Sequence, residues 1–212
     1  MSDIVNRIKN AVIERRRDQI QELVSEAIAD KVDLEKVIND GLIAAMDVVG
    51  SRFGTGEIFV PEMLVSALTM KLGLAIVKPR LIAERGNISR GTIVMGTVKG
   101  DLHDIGKNIV IMMLEGAGFD VVDLGVDLPV ETILAEIEKI APKILGLSAL
   151  LTTTMPELRN VIDALESRGL RRKVKVMVGG APVDARFAKM IGADGYGKDA
   201  AQAVELARSL VS

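Results

Sequence analysis

From Thr92 onward the chain alternates short, β-branched apolar runs with longer amphipathic stretches, and this rhythm restricts the fold more than any other feature. Strands are predicted at 92–98, 120–124, 144–149, 174–178 and 193–196, and helices near 106–117, 130–140, 155–168, 183–190 and 199–210. Strands joined through helices rather than tight turns pair in parallel, because only a long crossover returns the chain to the same end of the sheet. The second part of the chain is therefore expected to be an α/β domain: a flavodoxin-like (Rossmann-like) five-stranded parallel sheet covered on both faces. In the expected strand order, 2-1-3-4-5, ligands bind beyond the carboxyl ends of the strands, where the order reverses between strands 1 and 3.

Residues 1–85 have a different period. Ile20, Leu23, Val24, Ala27 and Ile28 repeat at helical spacing, as do Leu64, Ala67, Leu68, Leu72, Ala75 and Ile76. Asp33 is placed to N-cap a helix that Gly41 could divide, Gly54-Thr55-Gly56 interrupts the pattern, and Pro61 suits the first turn of the next helix. These signals predict an all-α helical-bundle cap domain over 1–85, a polar glycine-bearing linker at 86–91, and the α/β domain over 92–212.

Composition removes several classes of function. The sequence contains no cysteine, which excludes disulfides, thiolate metal sites and thiol catalysis. Its net charge is −2, and the basic clusters Arg15-Arg16-Arg17 and Arg171-Arg172-Lys173 have acids nearby, so no nucleic-acid surface is expected. The N-terminus lacks the apolar core of a signal peptide, and no run is read as reaching the roughly eighteen apolar residues of a membrane span. A cytoplasmic protein without membrane partners is expected.

Three unusual loops fall on the predicted ligand-binding rim. The first, Gly100-Asp101-Leu102-His103-Asp104-Ile105-Gly106-Lys107-Asn108, carries the single histidine. The second runs from Gly146 through Ser148, Leu150 and Thr152 to Thr154, and the third is Val178-Gly179-Gly180-Ala181-Pro182. A lone imidazole cannot build a multi-histidine zinc or iron site, but it can supply one axial bond to a metal already held by a macrocycle. Hydroxyls in the second loop and paired glycines in the third suit a ligand that approaches the backbone.

The histidine loop resembles the Asp-x-His-x-x-Gly signature of cobalamin-binding domains that hold the cofactor base-off, with histidine on cobalt. The resemblance continues through Ser148-x-Leu150 and Gly179-Gly180. It reaches into the helical half at Arg52-Phe53-Gly54-Thr55-Gly56-Glu57-Ile58-Phe59-Val60-Pro61, which is similar to the end of the cap in methionine synthase. In its details the chain most resembles the small corrinoid proteins of methylamine, methanol and methoxy-aromatic methyltransferase systems.

That resemblance implies a role for each residue. His103 would be the axial cobalt ligand, Asp101 would accept a hydrogen bond from its other ring nitrogen, and Thr154 would continue the relay where methionine synthase has serine. Asp104 and Ile105 would lie in the cofactor-binding loop. Gly106, Gly179 and Gly180 would leave space for the displaced nucleotide tail. Ser148 and Thr152 would hydrogen-bond near it, Leu150 would pack against it, and Phe53 and Val60 would form an apolar lid over the metal. Asp104 and Lys107 could equally do no more than solvate or cap the loop and first helix.

The function implied is that of a methyl carrier binding a corrinoid (cobalamin, cobalt) and serving separate partners. These would be a substrate:corrinoid methyltransferase, a corrinoid:acceptor methyltransferase of tetrahydrofolate or coenzyme M type, and a reductive activator. Without a barrel domain, the chain is not expected to be a complete methyltransferase, and the same lack argues against an adenosylcobalamin-dependent isomerase module. A cobalamin-sensing regulator would need a DNA-binding module that the helical and sheet halves leave no room for. Receiver domains need an aspartate where Ser148 ends strand 3, and flavin sites exploit aromatics, here 2% of residues.

Overall fold

The computed structural model describes residues 3–85 and 89–212. Of the linker expected at 86–91, residues 86–88 lie outside the described residues. The chain divides into two compact units, 1–89 with 116–118, and 90–115 with 119–212.

The helical unit consists of α1 (Asp3–Ile13), α2 (Ile20–Ala29), the short α3 (Leu34–Lys36), α4 (Ala44–Gly54) and α5 (Val60–Arg85). Asp33 caps α3, its carboxylate accepting from the Glu35 amide at 3.1 Å. Gly41 does not divide this segment. A π-helical stretch, Val37–Ile43, carries the chain from α3 into α4. A methyl group at Gly41 would stand 3.2 Å from Ile8 Cγ2, so glycine lets this stretch pack closely on α1.

The apolar stripe predicted on α5 also needs correction. Met63, Ala67, Met70, Val77 and Leu81 are buried, whereas Leu68 is exposed. Apolar residues surround most of this helix, so periodicity alone selects no face. The small residues decide instead: a methyl group at Gly73 would lie 3.0 Å from Leu42 and 3.2 Å from Ile20. The segment Val60–Leu81 is long and apolar enough to span a bilayer, contrary to the sequence expectation, and it packs against α2 and α4 within this unit.

The second unit is the expected parallel sheet, in order β2-β1-β3-β4-β5. Its strands are β1 (Thr92–Thr97), β2 (Asp120–Asp123), β3 (Ile144–Ser148), β4 (Lys175–Gly179) and β5 (Gly195–Tyr196). The connecting helices are α6 (Ile105–Gly116), α7 (Val130–Ile140), α8 (Met155–Ser167) and α9 (Ala185–Met190), with α10 (Ala200–Val211) last. Val94, Leu145, Leu147, Val176 and Val178 form one core with Ile133 and Leu134 of α7 and with Leu158, Val161 and Ile162 of α8. Alternate residues such as Ile93, Ile144 and Met177 are also buried, as expected where helices cover both sheet faces.

Two boundaries differ from expectation because side chains intervene. Asp184 accepts from the Phe187 amide at 2.7 Å, so α9 begins after this cap and not at 183. Ahead of β5, Asp194 donates its amide to the Val176 carbonyl at 2.8 Å while its carboxylate accepts from the Val176 amide at 2.7 Å. This side chain replaces a backbone rung, and β5 is reduced to two residues.

Burial by itself would raise the Asp194 carboxyl, but the Val176 amide and the nearby Arg171 guanidinium outweigh it and hold the group below its usual range. A depressed folded value contributes stability that is whole above the unfolded carboxylate range, near pH 4, and is lost as pH falls through the folded value. Asp194→Asn should therefore cost about 1.5 kcal/mol in urea unfolding at pH 7, with the gap to wild type shrinking below about pH 4.

Candidate functional site

All three loops singled out in the sequence leave the carboxyl ends of β1, β3 and β4, adjacent strands flanking the reversal of strand order. The register places Thr97 beside Ser148 and Ser148 beside Gly179. This pairing brings the histidine loop and the hydroxyl-bearing loop to the same level.

Their meeting point is the carboxylate of Asp101, which is fully buried. Oδ1 accepts from the His103 amide at 3.1 Å and lies 2.7 Å from His103 Nδ1. Oδ2 accepts from the Leu150 amide at 2.6 Å, the Leu151 amide at 3.3 Å and the Thr154 hydroxyl at 2.8 Å. The same hydroxyl lies 3.0 Å from the Leu151 carbonyl, but its one proton goes to the nearer, charged acceptor. On the other side of the loop, the buried Thr97 hydroxyl donates to the His103 carbonyl at 3.0 Å.

Burial would raise the Asp101 carboxyl. The Leu150 amide, His103, the Thr154 hydroxyl and the His103 amide together overcome this and hold it far below the ordinary carboxylate range. An ionised carboxylate can only accept, so the short contact to His103 requires a proton on Nδ1. In the neutral imidazole this leaves the lone pair on Nε2. The His103 side chain is 51% exposed. The site thus offers one oriented nitrogen ligand, and among the described residues no group of three or more His, Asp or Glu side chains is arranged to hold an ion.

The two loops that meet at Asp101 also carry large apolar side chains open to solvent. Leu102 is 71% exposed, Ile105 77%, and Leu150 and Leu151 are also exposed. Large apolar side chains grouped at a strand-end rim mark a binding surface. A methyl group at Gly106 would meet nothing within 4 Å, so the first turn of α6 leaves open space there. One imidazole, no further ligands and an open apolar rim fit a metal whose equatorial positions belong to a macrocycle.

The remaining residues singled out in the sequence have varied surroundings. Ser148 is half-buried at the end of β3, with its carbonyl accepting from the Val98 amide at 3.1 Å, and Thr152 is exposed. Asp104 accepts from the Asn108 side chain at 3.1 Å. Gly180 has a physical requirement of its own: its φ is +125°, and a methyl group there would lie 1.9 Å from the Ala149 carbonyl oxygen. A methyl group at Gly179 would lie 3.1 Å from the Gly197 carbonyl oxygen. Phe53 in α4 and Val60 at the start of α5 are half-buried in the helical unit, and the constellation around Asp101 is built within the sheet unit.

Sequence reasoning missed two features. Leu150 contributes through its backbone amide as well as its side chain, a role its identity could not signal. Lys107 is buried and donates to Asp123 at 2.5 Å and to the Asn108 side chain at 3.2 Å. A cation inside the first turn of a helix opposes the helix dipole, and that anomaly was visible in the sequence.

Residues 91–205 match a B12 binding domain family, and residues 4–78 match a second family described as a B12 binding domain. A corrinoid protein of Desulfitobacterium hafniense (strain Y51) is 42% identical over 211 residues, covering 98% of this chain and 97% of that protein. The trimethylamine corrinoid protein of Methanosarcina barkeri is 40% identical over 203 residues, covering 95% and 94%. The solved methanol:cobalamin methyltransferase complex MtaBC of Methanosarcina barkeri contains a similar chain, with TM-score 0.88 and 34% identity over 99% of this chain and 80% of that one. Fold, rim and sequence thus converge on a cobalamin-binding protein. The chain belongs to the corrinoid proteins of methyltransferase systems, and its cofactor is a corrinoid.

Gly180→Ala should lower the stability of the cofactor-free protein by at least about 2 kcal/mol in urea unfolding, because backbone and not ligand occupies the space. Gly179→Ala should cost less than half as much.

Proposed function

We propose that this protein carries a methyl group on a corrinoid held base-off, with His103 Nε2 as the protein's ligand to the metal. The observation that carries this reading is the ionised, buried Asp101 carboxylate 2.7 Å from Nδ1, which leaves the lone pair on the exposed ring nitrogen. When bound, the corrinoid supplies a metal centre able to accept a methyl group from one partner and surrender it to another.

The chain's own residues do the rest. Asp101 fixes the imidazole tautomer and increases its donor strength, and a hydrogen-bonded partner of this kind typically changes metal affinity by about 10–100-fold. Were Nε2 to carry a proton in place of a metal, Asp101 would face an imidazolium across the same short contact. The Thr154 hydroxyl and the Leu150 amide keep the carboxylate charged and stationary through both states. Leu102, Ile105, Leu150 and Leu151 would offer their exposed apolar surface to the macrocycle. Ser148, Thr152 and Gly106 belong to the side that would receive the displaced nucleotide tail. The apolar cover assigned to Phe53 and Val60 rests on the match of residues 4–78 to a B12 binding domain.

The partners proposed are a substrate-specific methyltransferase, an acceptor methyltransferase using tetrahydrofolate or coenzyme M, and a reductive activator. The methylamine relatives and the methanol methyltransferase complex support this assignment. A cytoplasmic location belongs to the same reading, since the carrier must meet its reductant.

Reconstitution with hydroxocobalamin, followed by reduction to cobalt(II), tests the ligand. Electron paramagnetic resonance of uniformly 15N-labelled protein should show one protein nitrogen coupled to cobalt, and His103→Ala should abolish that coupling. A signal from the cofactor's own benzimidazole in wild type would refute the proposal.

A further inference from the structure

We infer that the connection leaving β2 clamps the His103 loop on both flanks, with Asp127 as a positioning residue for the axial ligand. This inference rests on the proposed histidine ligation and names what holds that histidine in place.

The connection, 124–129, is itself fixed to β1. The Leu124 amide donates to the Met95 carbonyl at 2.8 Å, the Thr97 amide to the Gly125 carbonyl at 3.0 Å, and the Leu128 amide to the Thr97 carbonyl at 3.1 Å. From this connection and from the end of β2, two carboxylates reach the residues on either side of His103, the second of them in the first turn of α6. Ahead of His103, Asp127 Oδ1 accepts from the Gly100 amide at 2.7 Å, while the Asp127 amide donates to the Asp101 carbonyl at 3.0 Å. Beyond His103, Asp123 Oδ1 accepts from the buried Lys107 ammonium at 2.5 Å and from the Gly125 amide at 2.9 Å.

Each contact has a cost that helix or turn formation does not explain. Asp127 adopts φ +52°, a left-handed conformation that ordinary side chains rarely take and that Asp and Asn tolerate best. Gly100, its partner, sits at φ +79°. Lys107 places a buried cation where the helix dipole favours an anion. Both features make sense if the segment between them must be held still. That segment contains Asp101 and His103, and a metal ligand loses affinity when its supporting shell is loose.

A substitution series separates hydrogen bonding from backbone strain. Asp127→Ala removes the acceptor and strains the backbone further. Asp127→Gly removes the acceptor and relieves the strain. Asp127→Asn keeps both an acceptor and a tolerance for positive φ. Lys107→Met tests the second contact, and Asp123 is exposed enough to remain solvated without its partner.

Hydroxocobalamin binding should weaken about tenfold in Asp127→Ala, Asp127→Gly and Lys107→Met, and stay within about twofold in Asp127→Asn. The nitrogen coupling of the cobalt(II) form should fall in proportion. In the cofactor-free protein, exchange of the Gly100 amide should accelerate in the Ala and Gly variants alone. Wild-type affinity and coupling in Asp127→Gly would overturn the inference, as would an Asn variant as weak as the Ala one. If wild type itself lacks protein nitrogen coupling, the ligand reading falls and takes the clamp with it. If wild type shows the coupling and the variants keep it, only the clamp falls. Thermal melts identify any variant that fails to fold, and Asp127→Gly, free of added strain, then decides.

Discussion

A carboxylate with no solvent exposure organises this site. Taking a charge out of water is strongly unfavourable unless hydrogen bonds replace the lost hydration. Around Asp101 these come from two loops: the amide and ring of His103 on one side, and the Leu150 amide and Thr154 hydroxyl on the other. One ionised group therefore ties the β1 and β3 loops together and determines which ring nitrogen of His103 carries its proton. The orientation of the imidazole is a consequence of satisfying that charge.

The parallel sheet makes the arrangement possible. Reversal of strand order between β1 and β3 opens a crevice beyond the strand ends, and the loops bordering it are free to carry polar groups because the strands below are buried on both faces. The support extends sideways through the connection after β2. Asp123 and Asp127 bond not to the imidazole but to Gly100 and Lys107 on either side of it. A protein that offers a single ligand must position it well, since no second imidazole shares the load. The exposed Leu102 and Ile105 beside it would be a liability in a protein with nothing to bind, and they fit a partner as flat and apolar as a corrin ring.

Much of this was legible before any coordinates. Strand and helix positions in the second half follow from periods of two and about 3.6 residues, and the parallel pairing follows from helical crossovers. Asp101 and His103 stand out by their chemistry and spacing, whereas Thr154 is singled out only by the resemblance to methionine synthase. The buried face of α5 was not, because Ser66, Ala67 and Gly73 matter by being small and the apolar residues run around the helix. Nor was the short β5, where an Asp194 carboxylate takes a place that strand periodicity assigns to backbone. Gly180 was legible as a glycine with a purpose, but the identity of its neighbour, the Ala149 carbonyl, was not.

The sequence alone determined the class of fold, the kind of cofactor and the single imidazole the chain can offer, since these depend on local pattern and on which residue types are present at all. Tertiary structure decided which ring nitrogen of His103 faces Asp101, the burial of Lys107 and the reach of Asp127 to Gly100. Those are properties of groups as far as 53 residues apart, such as Asp101 and Thr154. The physical reason is that charge and hydrogen bonding act through space: their strength depends on which neighbours exclude water, and only the folded chain chooses those neighbours.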